Sequence, residues 1–228
     1  AVLEETPWVL DAKDESERKK RVGLLFDMNR MSQEQDRTMR KLRQMQVSNG
    51  GWPWCEGMPD DRYITQHIIA GFGHLDHLGI TEIRSDNRNW SMVQNGVRYM
   101  DARIAEDYQW IITHSSDTSL DHLDYLAMHY MYARSYFMDI DMPSKTKEAF
   151  KYFQHQAAKY WTQKSRYMQG MIALEAHRYN VPTISTAIVK SLRETATTTD
   201  EMGMYWKDMT GGGWYWYQAP IEFEALMV

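Results

Sequence analysis

Along most of this chain apolar residues return every three or four positions, the spacing of one face of an α-helix rather than the strict alternation of a strand. The clearest case runs over 87–113. There Val93, Val97, Met100, Ile104, Tyr108 and Ile111 keep the helical period, while Asp, Glu, Arg and Gln fill the opposite face. Over 61–78, Ile64, Ile68, Phe72 and Leu75 recur at steps of three and four and predict a buried inner helix; Gly71 and Gly73 admit a close neighbour and Gly79 ends it. The stretch 32–46 has sparse apolar positions (Met31, Met39, Leu42, Met45) among Arg, Gln and Asp, which predicts an outer, largely solvated helix. Segment 119–138 sets Leu123, Ala127, Tyr130 and Phe137 on one face, and helices over 144–164, 166–179 and 182–197 follow, the last opened by Pro182 at its first turn. Asp14-Glu15-Ser16-Glu17 has capping-box spacing and predicts a helix to about residue 28. A final helix begins near Pro220.

The breaks between helices are short and chemically distinct. Gly50-Gly51 ends the helix at Gln46, Pro53 prevents its restart, and Trp52 and Trp54 stand in the loop. Thr197-Thr198-Thr199-Asp200 reads as a connector, and Met204-Tyr205-Trp206 with Gly211-Gly212-Gly213-Trp214-Tyr215-Trp216-Tyr217 as a short hairpin or an aromatic loop. Roughly nine helices with short links and alternating apolar and polar character predict an all-α fold of the α/α-toroid type, each helical hairpin giving one helix to each ring. Nine fall short of a six-hairpin ring. A single but incomplete domain over 1–228 is therefore expected, with both ends, at Ala1 and within Ala225-Leu226-Met227-Val228, read as cuts through a longer protein.

Composition narrows the function classes. The 228 residues suit one domain, and 43% hydrophobic with 25% charged residues is the balance of a folded globular chain. A net charge of -5 supplies no basic field for a phosphate backbone, so nucleic acid is not an expected partner. The longest apolar runs, such as Ile68-Ile69-Ala70-Gly71-Phe72, fall far short of the roughly 20 residues of a membrane span, and no membrane insertion is expected. A single cysteine, Cys55, rules out an internal disulfide framework and a multi-cysteine metal site.

Candidate chemistry is sparse. Gln46-x-x-x-Gly50-x-Trp52 has the form of the QW repeat of terpenoid cyclases, a structural motif; the acidic Asp-x-Asp-Asp and Asp-Asp-x-x-Asp motifs that cyclase chemistry needs do not occur. Asp60-Asp61 reads as a helix N-terminus, where carboxylates meet the positive end of the dipole. His74 and His77 share a helix face at zinc-binding spacing, but nothing fixes a third ligand. They are read as exposed, as are His122 and His129, and no metal or cofactor is expected. The nine Trp and fourteen Tyr keep one enzymatic alternative open, a carbohydrate-active α/α toroid (glycosidase or polysaccharide lyase) with two carboxylates across the scissile bond. Packing explains the same aromatics, since most sit at core spacing or in the Gly-Trp loops.

Several segments together carry a resemblance: Glu4-Glu5-Thr6-Pro7-Trp8, Asn49-Gly50-Gly51-Trp52-Pro53-Trp54, Arg62-Tyr63-Ile64-Thr65-Gln66, Gly71-Phe72-Gly73-His74-Leu75, Tyr130-Met131-Tyr132-Ala133-Arg134-Ser135, Gly203-Met204-Tyr205-Trp206-Lys207 and Gly213-Trp214-Tyr215-Trp216-Tyr217-Gln218-Ala219-Pro220-Ile221-Glu222. In their order they resemble the thioester-domain region of bacterial alpha-2-macroglobulins of the Bacteroidetes type. The resemblance implies a toroid related to complement thioester domains and to the terpenoid cyclase fold, set within a longer envelope protein. It also implies an endopeptidase inhibitor that traps proteases, located in the cell envelope, periplasm or cell surface. The implied partners are target proteases, engaged through the full-length parent, and other domains of the same chain.

The family's thioester joins Cys to Gln in a Cys-x-Glu-Gln motif. Here Cys55 is followed by Glu56, Gly57 and Met58, so the Gln is missing and Cys55 is read as a structural, loop-packing thiol; a reactive motif is expected N-terminal to Ala1. His122, at the start of an expected inner helix, is the candidate thioester-supporting residue. Gln46, Trp52, Trp54, Trp206, Trp214 and Trp216 are expected to form structural loops across one end of the toroid, with no catalytic residue among them.

Overall fold

The computed structural model describes residues 28–201, 203–207 and Leu226. The chain divides into two compact units, Ala1–Gln46 and Val47–Val228. In the first, α1 (Met28–Met45) exposes most of its surface from residue 32 onward. Met39, Leu42 and Met45, the sparse apolar positions, are half-buried. The expected capping-box helix, Trp8 and the elements from 208 onward, Trp214 and Trp216 included, lie outside the described residues.

The second unit is mostly helical. Its helices are α2 (Arg62–His77), the single turn α3 (Glu82–Ser85), α4 (Asn87–His114), α5 (Tyr125–Arg134), α6 (Ser144–Tyr160), α7 (Arg166–Arg178) and α8 (Pro182–Thr195), with a 3-10 turn at Trp161–Gln163. Short acidic side chains start several of them by accepting orphan N–H groups: Asp61 from Ile64, Asp86 from Arg88 and Asn89, and Asp124 from Ala127. α2 packs on α5, and α5 on α7; α4 and α6 pack together behind them, and α8 backs α7. Ile69, Val93, Val97, Met100, Ile104, Met128, Met131, Phe137 and Met171 form the dry interior.

The predicted helix over 119–138 is shorter in the structure. Asp121 accepts the N–H of Leu123 in a local turn, Asp124 then caps α5, and the helix stops at Arg134. The reason is an ion pair that hydropathy does not register. Arg134 donates Nε to Asp101 Oδ1 on α4 at 3.0 Å, Nη2 to Ile140 O at 2.7 Å, and Nη1 to Phe137 O, so the turn after α5 folds around the guanidinium. Asp101 also accepts the Tyr130 hydroxyl at 2.7 Å, and both members of the pair are almost fully buried. Burial drives the Asp101 carboxyl above the usual carboxylate range, against the pull of Arg134.

Two further expectations are corrected. Of the four residues expected on the buried face of α2, Phe72 is buried, Ile64 and Ile68 are half-buried and Leu75 is 42% exposed; Thr65, Gln66, Ile69, Ala70 and Gly73 complete the buried face. Thr65 and Gln66 tolerate burial because they are bonded: Thr65 Oγ1 accepts the Trp52 N–H at 2.8 Å, and Gln66 Nε2 donates to Leu126 O at 2.9 Å. Gly73 does sit against a neighbour, Tyr136, whereas Gly71 faces open space. The threonine connector is a strand. β1 (Thr197–Thr199) pairs antiparallel with β2 (Gly203–Tyr205), in the register Thr198 opposite Met204.

Candidate functional site

The loop 47–61 is held by its own polar groups. Gly50 has φ +92 and lies so close to Asn95 that a Cβ would strike the Asn95 backbone carbonyl, so a residue with a side chain is strained there twice over. Asn49 Oδ1 accepts the Gly51 N–H, its Nδ2 donates to Asp60 Oδ1, and Tyr99 on α4 donates its hydroxyl to Asp60 Oδ2 at 2.6 Å. The Tyr99 hydrogen bond, then that of Asn49, holds the Asp60 carboxyl below its ordinary range. Asp60 is thus a tie between loop and α4, and Asp61 alone is the cap. Trp52 is fully buried, its ring against Gly96 of α4 and its carbonyl accepting the Asp61 N–H at 2.8 Å.

The predicted aromatic set does not behave as one group. Trp52 is buried as above, and Trp206 is buried with its indole N–H donated to Leu192 O of α8 at 2.9 Å. Trp54 is 60% exposed, which corrects its assignment as a packed end-loop residue. The Gln46 N–H closes α1 on Leu42 O. Cys55 is a free, exposed thiol, so it does not pack the loop as expected. His122 precedes α5 rather than starting it; its N–H donates to Gln156 Oε1 at 3.0 Å, and its ring Nε2 lies 3.2 Å from both Ser115 Oγ and Asp117 O.

What the structure does assemble is a column of rings between α2, α5 and α7. Trp54 stacks on Tyr63 at 5.9 Å, Tyr63 on His67 at 6.2 Å, and His67 on His129 at 6.2 Å. His129 lies between Tyr125 at 5.5 Å and Tyr132 at 6.3 Å, and Tyr125 stacks in turn on Tyr167 of α7. Interplanar angles of 11 to 27° along these contacts mean that most rings spend their faces on each other. At the far end His74 Nε2 lies 2.7 Å from the Tyr132 hydroxyl, which lies 2.9 Å from that of Tyr136, and the Arg178 guanidinium covers the Tyr136 ring at 3.7 Å.

His129 is therefore buried, against the expectation that placed it on the surface. Burial holds its imidazole down to about 3, with His67 and His74 adding to the effect. His67 is lowered by burial as well, and His74 by burial and then by Arg178. No group of three or more His, Cys, Asp or Glu that could hold a metal exists among the described residues. The column was legible in part: Tyr125, His129, Tyr132 and Tyr136 fall at steps of four, three and four, and Tyr63 and His67 at four, one stripe on each element. Only the pairing of the two stripes needed coordinates.

Two other features bear on chemistry. Glu175 on α7 is buried, accepts from Gln154 of α6 at 2.8 Å, and is pushed up by burial to about 7. A mostly apolar cleft of 620 Å³ lies between α7, α8 and the hairpin, lined by Ala173, Leu174, Val189, Leu192, Met204 and Trp206 among others. No helix among the described residues is long and apolar enough to cross a membrane. No family model, curated protein or solved structure matches the chain.

Proposed function

We propose that this chain is a helical scaffold domain of a bacterial alpha-2-macroglobulin-like protease trap, folded as part of an α/α toroid and without catalytic activity of its own. The observation that carries the reading is the ring column. α2, α5 and α7 follow one another in one layer, α4 and α6 pack behind, and the side chains meeting across the first layer are stacked rings. Alternate helices in two layers are what a toroid builds, and the buried rings of His129 and Tyr132 at the middle of the column support a plug rather than a substrate funnel. The segment resemblance supplies the family and, with it, the envelope location, the target proteases and the neighbouring domains.

The carbohydrate-active alternative would need two facing carboxylates about 5 to 9.5 Å apart along that layer. The buried carboxylates described are engaged elsewhere, Asp101 with Arg134 and Tyr130, and Glu175 with Gln154. The test has two arms. The full-length parent, incubated with a protease, should suppress cleavage of large protein substrates while small peptide substrates are still cut. This chain alone should release no new ends from neutral or uronate polysaccharides; release abolished by His74→Ala or Tyr132→Phe would overturn the scaffold reading in favour of the enzyme.

A further inference from the structure

The chain contains two Asn-Gly dipeptides, Asn49-Gly50 in the loop before α2 and Asn95-Gly96 inside α4, and the fold sets Gly50 directly against Asn95. In such a pair the glycine nitrogen can reach the asparagine side-chain carbonyl, because no Cβ stands in the way. We propose that Asn49 is a gated deamidation site: the docked loop suppresses ring closure, local opening of the loop permits it, and the product keeps the loop from docking again.

The chemistry needs only water. The Gly50 nitrogen gives its proton to solvent and bonds to Asn49 Cγ, the Cγ–Nδ2 bond breaks, and ammonia leaves a succinimide behind. One water then opens that ring at either carbonyl, giving an aspartyl or an isoaspartyl residue at position 49.

In the docked loop the reacting groups are held apart from this course. The N–H of the buried Gly50 donates to Val47 O at 2.9 Å. Asn49 Oδ1 accepts the Gly51 N–H at 3.0 Å, and Nδ2 donates to Asp60 Oδ1 at 3.0 Å. Asp60 is in turn fastened to α4 by the Tyr99 hydroxyl at 2.6 Å. Turning Cγ onto the Gly50 nitrogen breaks the ties at Asn49 and Gly50, and Asn49 is exposed, so water is at hand once they part. Asn95 has no such local gate. Its Gly96 lies within the 28-residue α4 with Trp52 and Ile69 packed on it, so ring closure there requires the helix itself to unfold.

Neither product fits the docked loop. An aspartyl side chain puts a second carboxylate where the Nδ2 donor met Asp60, and attraction becomes like-charge repulsion. An isoaspartyl linkage adds a methylene to the main chain beside Gly50, where even a Cβ would lie 2.3 Å from the Asn95 carbonyl oxygen. A loop that opens and reacts therefore cannot close on Asp60 and Asn95 as before.

Peptide mapping of the chain held at pH 8, with and without denaturing urea, measures both sites. Conversion of Asn49 should be at least about tenfold slower in the folded chain than in urea, yet faster there than that of Asn95; in urea the two should agree within about threefold. Tyr99→Phe, which releases Asp60 from α4, should speed Asn49 conversion severalfold in the folded chain and leave its rate in urea unchanged. Asn49→Asp should raise exchange of the Trp52 amide, which donates to Thr65 Oγ1 at 2.8 Å, about tenfold at pH 7 while the Ile104 amide keeps its protection. Should that variant fail to fold, the converted fraction of the parent chain, separated by ion exchange, is measured in its place. Equal Asn49 rates with and without urea, Asn49 and Asn95 converting in step in the folded chain, or a Trp52 amide unmoved by the change overturns the proposal. Equal acceleration of both sites by Tyr99→Phe does the same, because the loop then opens only with the fold.

Discussion

The same substitution made twice on one helix should move stability in opposite directions. Gly71 and Gly73 lie two residues apart on α2. A Cβ at Gly71 meets nothing within 4 Å, so Gly71→Ala adds only helix propensity and should stabilise by about 0.5–1 kcal/mol. A Cβ at Gly73 would lie 2.5 Å from Tyr136 Cγ, 2.6 Å from its Cδ2 and 2.7 Å from its Cβ. Those atoms are the root of the side chain and cannot swing aside. The Tyr136 ring is also pinned by its hydroxyl contact to Tyr132 and by Arg178. Overpacking of this kind costs about 1–3 kcal/mol, and the propensity term returns under 1, leaving a net loss of about 1–2 kcal/mol. Urea unfolding followed by far-ultraviolet circular dichroism measures both variants, with thermal midpoints expected to move roughly 2 °C up and 4 °C down. A Gly73→Ala protein as stable as the parent would refute the rigid contact between α2 and Tyr136 in the turn after α5.

Two further outcomes follow from burial. Glu175 has a folded value of about 7 against an ordinary 4.5, so the neutral form is the one the fold favours: its contribution is present below pH 4.5 and lost as the pH rises through 7. Glu175→Gln should therefore be more stable than the parent at pH 8 by up to about 3 kcal/mol and show no such advantage at pH 4, read from denaturant midpoints at both values. Trp52→Ala should lower stability by about 3–5 kcal/mol, because the ring is fully enclosed against α4; an unchanged midpoint would mean that the loop repacks.

The helices were legible because their boundaries are written in short polar caps and glycines, and because Val93, Val97, Met100, Ile104 and Ile111 do bury as their spacing predicts. The misreadings share a cause. Hydropathy assigns Asp101, Arg134, Thr65, Gln66 and His129 to the surface, and each lies inside because a partner distant in sequence satisfies it: Arg134 for Asp101, Trp52 for Thr65, Leu126 for Gln66. The opposite error placed Trp54 and Cys55 in a packed loop, because an aromatic beside glycines and prolines reads as an anchor whether or not anything covers it. The ring column is the intermediate case. Its stripes were visible at helical spacing, but which stripe meets which is a matter of tertiary pairing.

The Arg134 guanidinium makes one connection unlike the others. The turn 135–140 is exposed in part and would ordinarily tolerate insertion, yet its carbonyls at Phe137 and Ile140 close on a side chain that is itself anchored to Asp101, more than thirty residues earlier. Its length is thereby set by a residue on another helix. A tag, epitope or extra residue placed there would be rejected, whereas the exposed segment 55–58, beyond the stacked Trp54, is the place to graft one. Anyone wishing to attach a label to this domain should begin at the loop that holds its only cysteine.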